Sequence, residues 1–360
     1  MTTTTDIQDN RPRISPEPAK GGLSSRTLPR WSPIGFAVVA IALGVGISLA
    51  AGWHSRIQWG LISALLFLAI SYVATTVVEN QRQAKDRLAT SIVWVCFLVA
   101  VVPLASLLWT TIVRGSERLD GYFLTHSMAG VLGPEHSGGV YHALIGTLEQ
   151  VGIATVIAAP LGLLTAVYLV EYGKGALAKA VTFFVDVMTG IPSIVAGLFI
   201  LSIMLMAGIE PSGLMGALAL TILMIPVVVR STEEMLKLVP NELREASLAL
   251  GIPKWRTILK VVLPTAIGGI TTGVMLAIAR IAGETAPIML LVFGSQLING
   301  NPFEGAQSSL PFYIYEQYKV GEVASYDRAW AAALVLIAFV MILNLVARGI
   351  ARWKAPKTGR

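Results

Sequence analysis

The chain has 360 residues, 54% of them hydrophobic and only 13% charged. Soluble domains carry about 25% charged residues, so at a mean hydropathy of +0.70 too little polar surface exists to coat a globule in water. A polytopic membrane protein is expected, and the net charge of +6 is read from where the positive residues fall rather than as a sign of a nucleic-acid partner.

Residues 1–32 are rich in Thr, Pro, Ser and Arg, lack apolar periodicity and read as a disordered cytoplasmic tail. A membrane-crossing helix needs about 20 predominantly apolar residues. Eight segments meet or approach that length: Pro33–Ala51, Gly60–Val78, Leu88–Ile112, Tyr141–Val170, Ala180–Met206, Leu214–Val229, Pro264–Phe293 and Ala329–Val346. A cleaved leader ending near Ser48-Leu49-Ala50-Ala51 is the alternative for the first segment, but the apolar run and the tail before it are both too long. The runs are continuous rather than alternating, which excludes barrel strands and predicts an all-α bundle. Pro160, Pro192 and Pro226 lie inside spans, where neighbouring helices can satisfy the carbonyls that proline frees. Cys96, the single cysteine, reads as a small core hydrophobe and excludes a disulfide or a thiol metal site. Residues 33–80 hold two spans, residues 88–348 hold six, and residues 349–360 form a second cytoplasmic tail.

Lys and Arg concentrate in cytoplasmic loops. With eight crossings and a cytoplasmic N-terminus, most of the 27 basic residues fall inside, and both termini are cytoplasmic. Long outside loops are expected at about Val113–Val140 and Gly294–Arg328. No phosphate-binding glycine loop of the P-loop kind occurs, so ATP hydrolysis is not expected of this chain. His54, His126, His136 and His142 read as solvated loop residues without metal-ligand spacing. No nucleophile pattern is present. A transport subunit without cofactor or metal is expected, not an enzyme.

The most structured inside connection is Arg230–Lys260. Asn241 is placed to cap a helix over Glu242–Leu250, with Gly251 as its left-handed stop. Pro253 opens a second helical stretch, Lys254–Val262, and Trp255 sits at the membrane surface. A short projecting helix suits docking into a partner's groove; on spacing alone, a helix that merely closes the bundle fits equally well. Glu245-Ala246-Ser247, three residues, Gly251, nine residues, then Val261-Val262-Leu263-Pro264 resembles the EAA loop (E-A-A-x3-G-x9-I-x-L-P) of ABC-importer permeases. The resemblance implies a coupling helix, within a loop spanning 231–263, that docks onto a separate cytoplasmic ATPase subunit. Glu245, Ala246, Gly251, Leu263 and Pro264 occupy its motif positions.

Arg280 and Glu284 stand four residues apart inside the seventh span. Each charge at the bilayer centre costs about 2.5–3.5 kcal/mol on insertion scales, and pairing along one helix face offsets part of that. A structural ion pair and an anion-path arginine balanced by a glutamate are both consistent with this. Ala279-Arg280-Ile281-Ala282-Gly283-Glu284-Thr285-Ala286-Pro287 resembles the A-R-A-x-G-E-T-A-P stretch of phosphate transport permease subunits of the PstA type. Gly190-Ile191-Pro192-Ser193-Ile194-Val195 followed by Gly197-Leu198-Phe199, and Pro160-Leu161-Gly162 followed by Tyr168-Leu169-Val170-Glu171-Tyr172-Gly173, resemble two further stretches of that family. The resemblance covers roughly Leu88 onward, and the first two spans have no counterpart in it. It implies an inorganic phosphate path between this chain and a second permease subunit. It also implies an external phosphate-binding protein and Arg280 and Glu284 as path residues. Other oxyanions (sulfate, molybdate), an ion-coupled secondary transporter and a membrane scaffold are the competing readings. Gly190 and Gly283 are expected to allow close helix packing. Asp186 and Glu149 are expected in an interfacial or interhelical hydrogen-bonding role. Tyr313, Tyr315 and Tyr318 are expected in an interfacial aromatic belt, or more weakly in a docking surface for the binding protein.

Overall fold

A computed structural model describes residues 28–354. Most of the expected N-terminal tail, and the C-terminal tail from 355, lie outside the described residues. The chain divides after Ser106 into two compact units.

In the first unit, α1 (Ser32–Ala50) and α2 (Arg56–Val78) pack as a hairpin. Lipid offers no hydrophobic drive for helix pairing, so close approach through small residues must supply it. The buried positions are accordingly Ala40, Gly44 and Ser48 on α1 and Ser63, Ser71 and Thr75 on α2. A Cβ at Gly44 would stand 2.3 Å from the Ser63 hydroxyl. The hydroxyls of Ser48, Ser63 and Thr75 each donate to the carbonyl four residues back at 2.7 Å, which removes their cost in an apolar setting. α3 (Gln81–Arg118) runs 38 residues through Pro103 and carries the chain into the second unit. Cys96 is exposed on it rather than in a core, because only 6% of the apolar window of α3 is buried.

The second unit continues with α4 (Gly121–Thr125), α5 (Tyr141–Val167), α6 (Gly175–Gly190), α7 (Ser193–Met206) and α8 (Gly213–Lys237). After these come α9 (Asn241–Ala249), α10 (Lys254–Thr257), α11 (Leu263–Ala282), α12 (Ala286–Leu291), α13 (Leu310–Val320) and α14 (Val323–Lys354). A π-helical turn, Tyr168–Tyr172, extends α5, and another, Ile258–Val262, fuses α10 to α11. α8 is the central helix, with 67% of its apolar window buried. It packs along α5 where Gly162 meets Val228 and along α11 where Gly273 meets Ser231; a Cβ at either glycine would come within 2.7 Å of those side chains. The core around it joins Ala154 and Ala158 of α5, Leu220 and Met224 of α8, Ala277 of α11 and Ile288 of α12.

Seven helices among the described residues are long and apolar enough to cross a membrane, and a bent pair allows an eighth. Two expected spans are broken. Ala180–Met206 is not one helix: α6 and α7 meet at 108° across Ile191-Pro192. Proline has no N–H to continue the ladder and pushes the residue before it out of the helical region; Ile191 and Pro192 are both extended, with ψ of 126° and 137°. Pro264–Phe293 also divides, because α11 stops at Ala282 and α12 starts at Ala286. Gly190 and Gly283 are not close-packing positions. A Cβ on Gly190 meets nothing within 4 Å, and one on Gly283 only the Arg280 carbonyl at 3.7 Å.

Candidate coupling loop and substrate path

The connection from α8 to α11 forms two short helices around a left-handed glycine. Pro240 adopts φ −58° and ψ 141° and precedes the helix, which therefore starts at Asn241. Asn241 is its first residue rather than its cap, and its side chain accepts from Arg244 Nη1 at 3.3 Å. Gly251 has φ +75°, a conformation that costs an L side chain roughly 1–2 kcal/mol. The helix closes with Ile252 N–H donating to the Ser247 carbonyl at 3.3 Å and Gly251 N–H to Leu248 at 2.9 Å, the Schellman pattern. Ser247 is buried and bonds Thr257 at 2.8 Å, so the residue that departs from the EAA pattern staples α9 to α10. Glu245, Ala246 and Gly251 are exposed. Leu243, Leu248, Leu250 and Trp255 are exposed beside them. Leu263 and Pro264 are half-buried and open α11.

Sequence reasoning did not single out the group that anchors this loop. The Arg244 guanidinium reaches Glu171 Oε1 from Nε at 2.9 Å and from Nη2 at 2.8 Å. It also donates to the carbonyls of Leu236 at 2.9 Å and Val239 at 2.6 Å. Lys254 Nζ donates to the Glu171 carbonyl and stands 4.9 Å over the Tyr172 ring. The signal was a basic residue beside the EAA glutamate and a glutamate closing an apolar run; spacing cannot pair residues so far apart in sequence. Asp186 of α6 ion-pairs Arg230 of α8, as an interhelical role required.

At the opposite end of α5, Gln150 donates to Gln307 Oε1 at 2.8 Å and to the Ser308 carbonyl at 3.3 Å. Gln307 in turn donates to Glu149 at 2.5 Å, so the partner of Glu149 is a loop residue rather than a second helix. A Cβ on Gly146 would stand 2.0 Å from the Ser308 carbonyl oxygen. The segment after α12 thus returns into the bundle as irregular backbone, tolerated at membrane depth only where protein surrounds it.

Arg280 and Glu284 do not share a helix face. α11 ends with Gly283 N–H donating to the Arg280 carbonyl at 3.2 Å and Glu284 N–H to Ile281 at 3.1 Å, so Glu284 lies in the break. Arg280 is exposed and Glu284 half-buried. Among the described residues neither side chain has an ion-pair or hydrogen-bond partner. The structure does bring together two stretches that carried the resemblance: a Cβ on Gly197 would lie 2.9 Å from Cα of Pro287, where α7 crosses the start of α12. Beside the break, a cavity of about 820 Å³ is lined by Thr285, Ala286, Arg114, Tyr315, Tyr326 and Trp330.

Two further expectations change. His142 is buried at 2% exposure within α5, its ring 5.4 Å from that of Tyr313. Tyr313 is 1% exposed and belongs to a core with Phe123 and Leu310, so of the three tyrosines only Tyr315 and Tyr318 remain at the surface. Burial holds the Tyr313 phenol neutral well above its usual range, and burial also raises the neighbouring Glu316 carboxyl.

Residues 158–360 match the family of binding-protein-dependent transport system inner membrane components. The chain belongs to that family. It is therefore a multi-pass inner-membrane component of a transporter. Phosphate transport system permease protein PstA 1 of Mycobacterium tuberculosis (strain ATCC 25618 / H37Rv) is 52% identical over 270 residues, covering 74% of this chain and 87% of that protein. The PstA permease of Mycobacterium leprae (strain TN) is 49% identical over 270 residues, covering 74% of this chain and 89% of its own. That of Pasteurella multocida (strain Pm70) is 38% identical over 269 residues, covering 74% and 94%. The resemblance to PstA-type permeases is borne out. A solved bacterial alginate ABC transporter shares the fold, with a TM-score of 0.54 at 16% identity over 77% of this chain and 97% of that one.

Proposed function

We propose that this chain is the permease subunit of an ATP-driven importer of inorganic phosphate. The observation that carries the reading is its 52% identity, over 74% of its length, to a phosphate transport permease. A second permease subunit completes the anion path, a cytoplasmic ATPase docks on α9, and an external phosphate-binding protein delivers the ion. Both termini and the loop 238–253 then face the cytoplasm, as the distribution of Lys and Arg requires.

The exposed surface of α9 supports the coupling role. An acidic and apolar face with Glu245, Ala246, Leu248 and Leu250 outward is costly to leave in water and suits a groove. Arg280 supports the path role. A guanidinium without an internal partner presents its fork of donors to an oxyanion, and Glu284 in the adjacent break limits how tightly a dianion is held, which passage requires. Glu284 lies away from the α11 face, so it tempers Arg280 without neutralising it.

The test is ATP-dependent uptake of labelled phosphate into vesicles containing the whole complex, with sulfate as competitor. Arg280→Gln and Glu245→Ala are measured beside the unmodified chain. Uptake that sulfate leaves intact and that both variants lose is expected. Persistent uptake in Arg280→Gln overturns the path assignment, and transport of sulfate in place of phosphate overturns the substrate.

A further inference from the structure

We infer that Arg244 and Glu171 form the mechanical latch through which the ATPase-docking helix moves α5, and with it the far end of the bundle. The inference rests on the importer reading above. One guanidinium ties three elements: α9, which carries it; the end of α8 and the turn after it, through the Leu236 and Val239 carbonyls; and the π-helical end of α5, through the Glu171 carboxylate. Side-chain exposures of 17% for Arg244 and 6% for Glu171 exclude most of the solvent that would screen the pair. Lys254 grips the same corner from α10 through the Glu171 carbonyl and the Tyr172 ring. Both short helices of the docking loop therefore hold the end of α5, and neither can be pulled without it.

What α5 does with that pull follows from its length. With its π-helical turn it runs 32 residues, Tyr141–Tyr172, or about 48 Å at 1.5 Å per residue. Its far end holds the returning segment after α12. The Thr147 hydroxyl accepts from Leu310 N–H at 2.7 Å, Gln150 holds Gln307 and Ser308, and Gly146 lies against the Ser308 carbonyl. A helix held at both ends passes displacement along its length, through Pro160 in its interior, one of the recognised ways in which a site moves a distant element. Arg244 and Glu171 are positioning residues here: they touch neither phosphate nor ATP. The fork geometry matters as well as the charge, because lysine cannot reach two carbonyls and a carboxylate at once.

The experiment measures phosphate taken up per ATP hydrolysed by the complete complex in vesicles, with Glu171→Gln, Glu171→Asp and Arg244→Lys. ATP hydrolysis is expected to stay within about twofold of the unmodified complex while the ratio falls at least about fivefold in Glu171→Gln and Arg244→Lys, the range of a typical coupling free energy. Glu171→Asp, which keeps the charge, is expected to recover most of the ratio. An unchanged ratio, or hydrolysis and uptake falling in step, overturns the latch. Should Glu171→Gln fail to assemble, spin labels at exposed Leu243 of α9, which is not among the docking residues, and exposed Leu161 of α5 decide the matter in the otherwise unmodified complex. Their separation is expected to stay constant through the ATP cycle, and a nucleotide-dependent change overturns the proposal. If the unmodified complex moves no phosphate on ATP, the importer reading has failed instead, and the two failures are told apart.

Discussion

Gly146 and Gly190 are both membrane-helix glycines, yet only one is required by its neighbours. At Gly146 a Cβ would fall 2.0 Å from the Ser308 carbonyl oxygen, a backbone atom that cannot swing aside. Gly146→Ala is therefore expected to cost about 1–3 kcal/mol, the usual range for overpacking, and to lower the melting temperature of the purified chain. Gly190→Ala, with nothing within 4 Å, is expected to leave it unchanged. Glu316 gives a second residue-scale prediction. Its half-buried carboxyl has a raised pKa from desolvation, so the folded state binds a proton more readily than the unfolded chain does. Stability is then greatest with the group protonated and declines as pH rises from the unfolded carboxylate value, near 4.5, through the folded one. Glu316→Gln is expected to raise the melting temperature at pH 8 and to make no difference below the unfolded value. Melting curves of both proteins at the two pH values check it, and equal gains at both would contradict the burial account.

At the scale of elements, Arg328 of α14 fixes the far-end loop before α5. Its guanidinium is 1% exposed and bonds Gln317 at 2.8 Å, the carbonyls of Gly133 at 2.9 Å and Ser137 at 3.3 Å, and that of Glu135. Arg328→Met removes every one of these donors at once. An orphaned buried acceptor costs about 1–3 kcal/mol unless water reaches it, so the loop is expected to open to water. Amide hydrogen exchange over residues 133–140 should rise at least tenfold, about 1.4 kcal/mol, while α8 stays protected. The same scale shows what could be read in advance. The motif at Glu245, Gly251 and Pro264 was legible because a left-handed glycine and a helix-opening proline leave marks in the sequence. The breaks at Ile191-Pro192 and Gly283–Thr285 were not. Apolar residues continue on both sides of each, and hydropathy records what a residue is buried in rather than which way the helix points. Hence the one helix face expected for Arg280 and Glu284 does not exist, because α11 ends at Ala282 between them. Arg328, Arg244 and His142 looked like loop or surface residues because their partners lie on other elements.

For the whole molecule, the first two spans are the part that transport is expected to tolerate losing. The family match spans residues 158–360 and leaves α1 and α2 outside it. α1 and α2 also satisfy their own buried hydroxyls and pack on each other through Gly44 and Ser63, and Arg87 of α3 joins them through Glu79 and Ser32. Removing an even number of crossings leaves every later loop on its original side, and in the proposed orientation Arg82, Lys85 and Arg87 remain to hold the start of α3 on the cytoplasmic side. A chain beginning at Asn80 is therefore expected to insert with the same topology, to assemble with its partners and to retain phosphate uptake within about threefold, a difference of less than 1 kcal/mol in any coupling. Removing only α1 is expected to be far worse, because one crossing inverts the positive-inside bias for all the loops that follow. Uptake by the two truncations, with protease accessibility of the loop 238–253 as the readout of sidedness, separates the outcomes. Loss of uptake in the longer truncation with sidedness preserved would give the hairpin a direct part in transport.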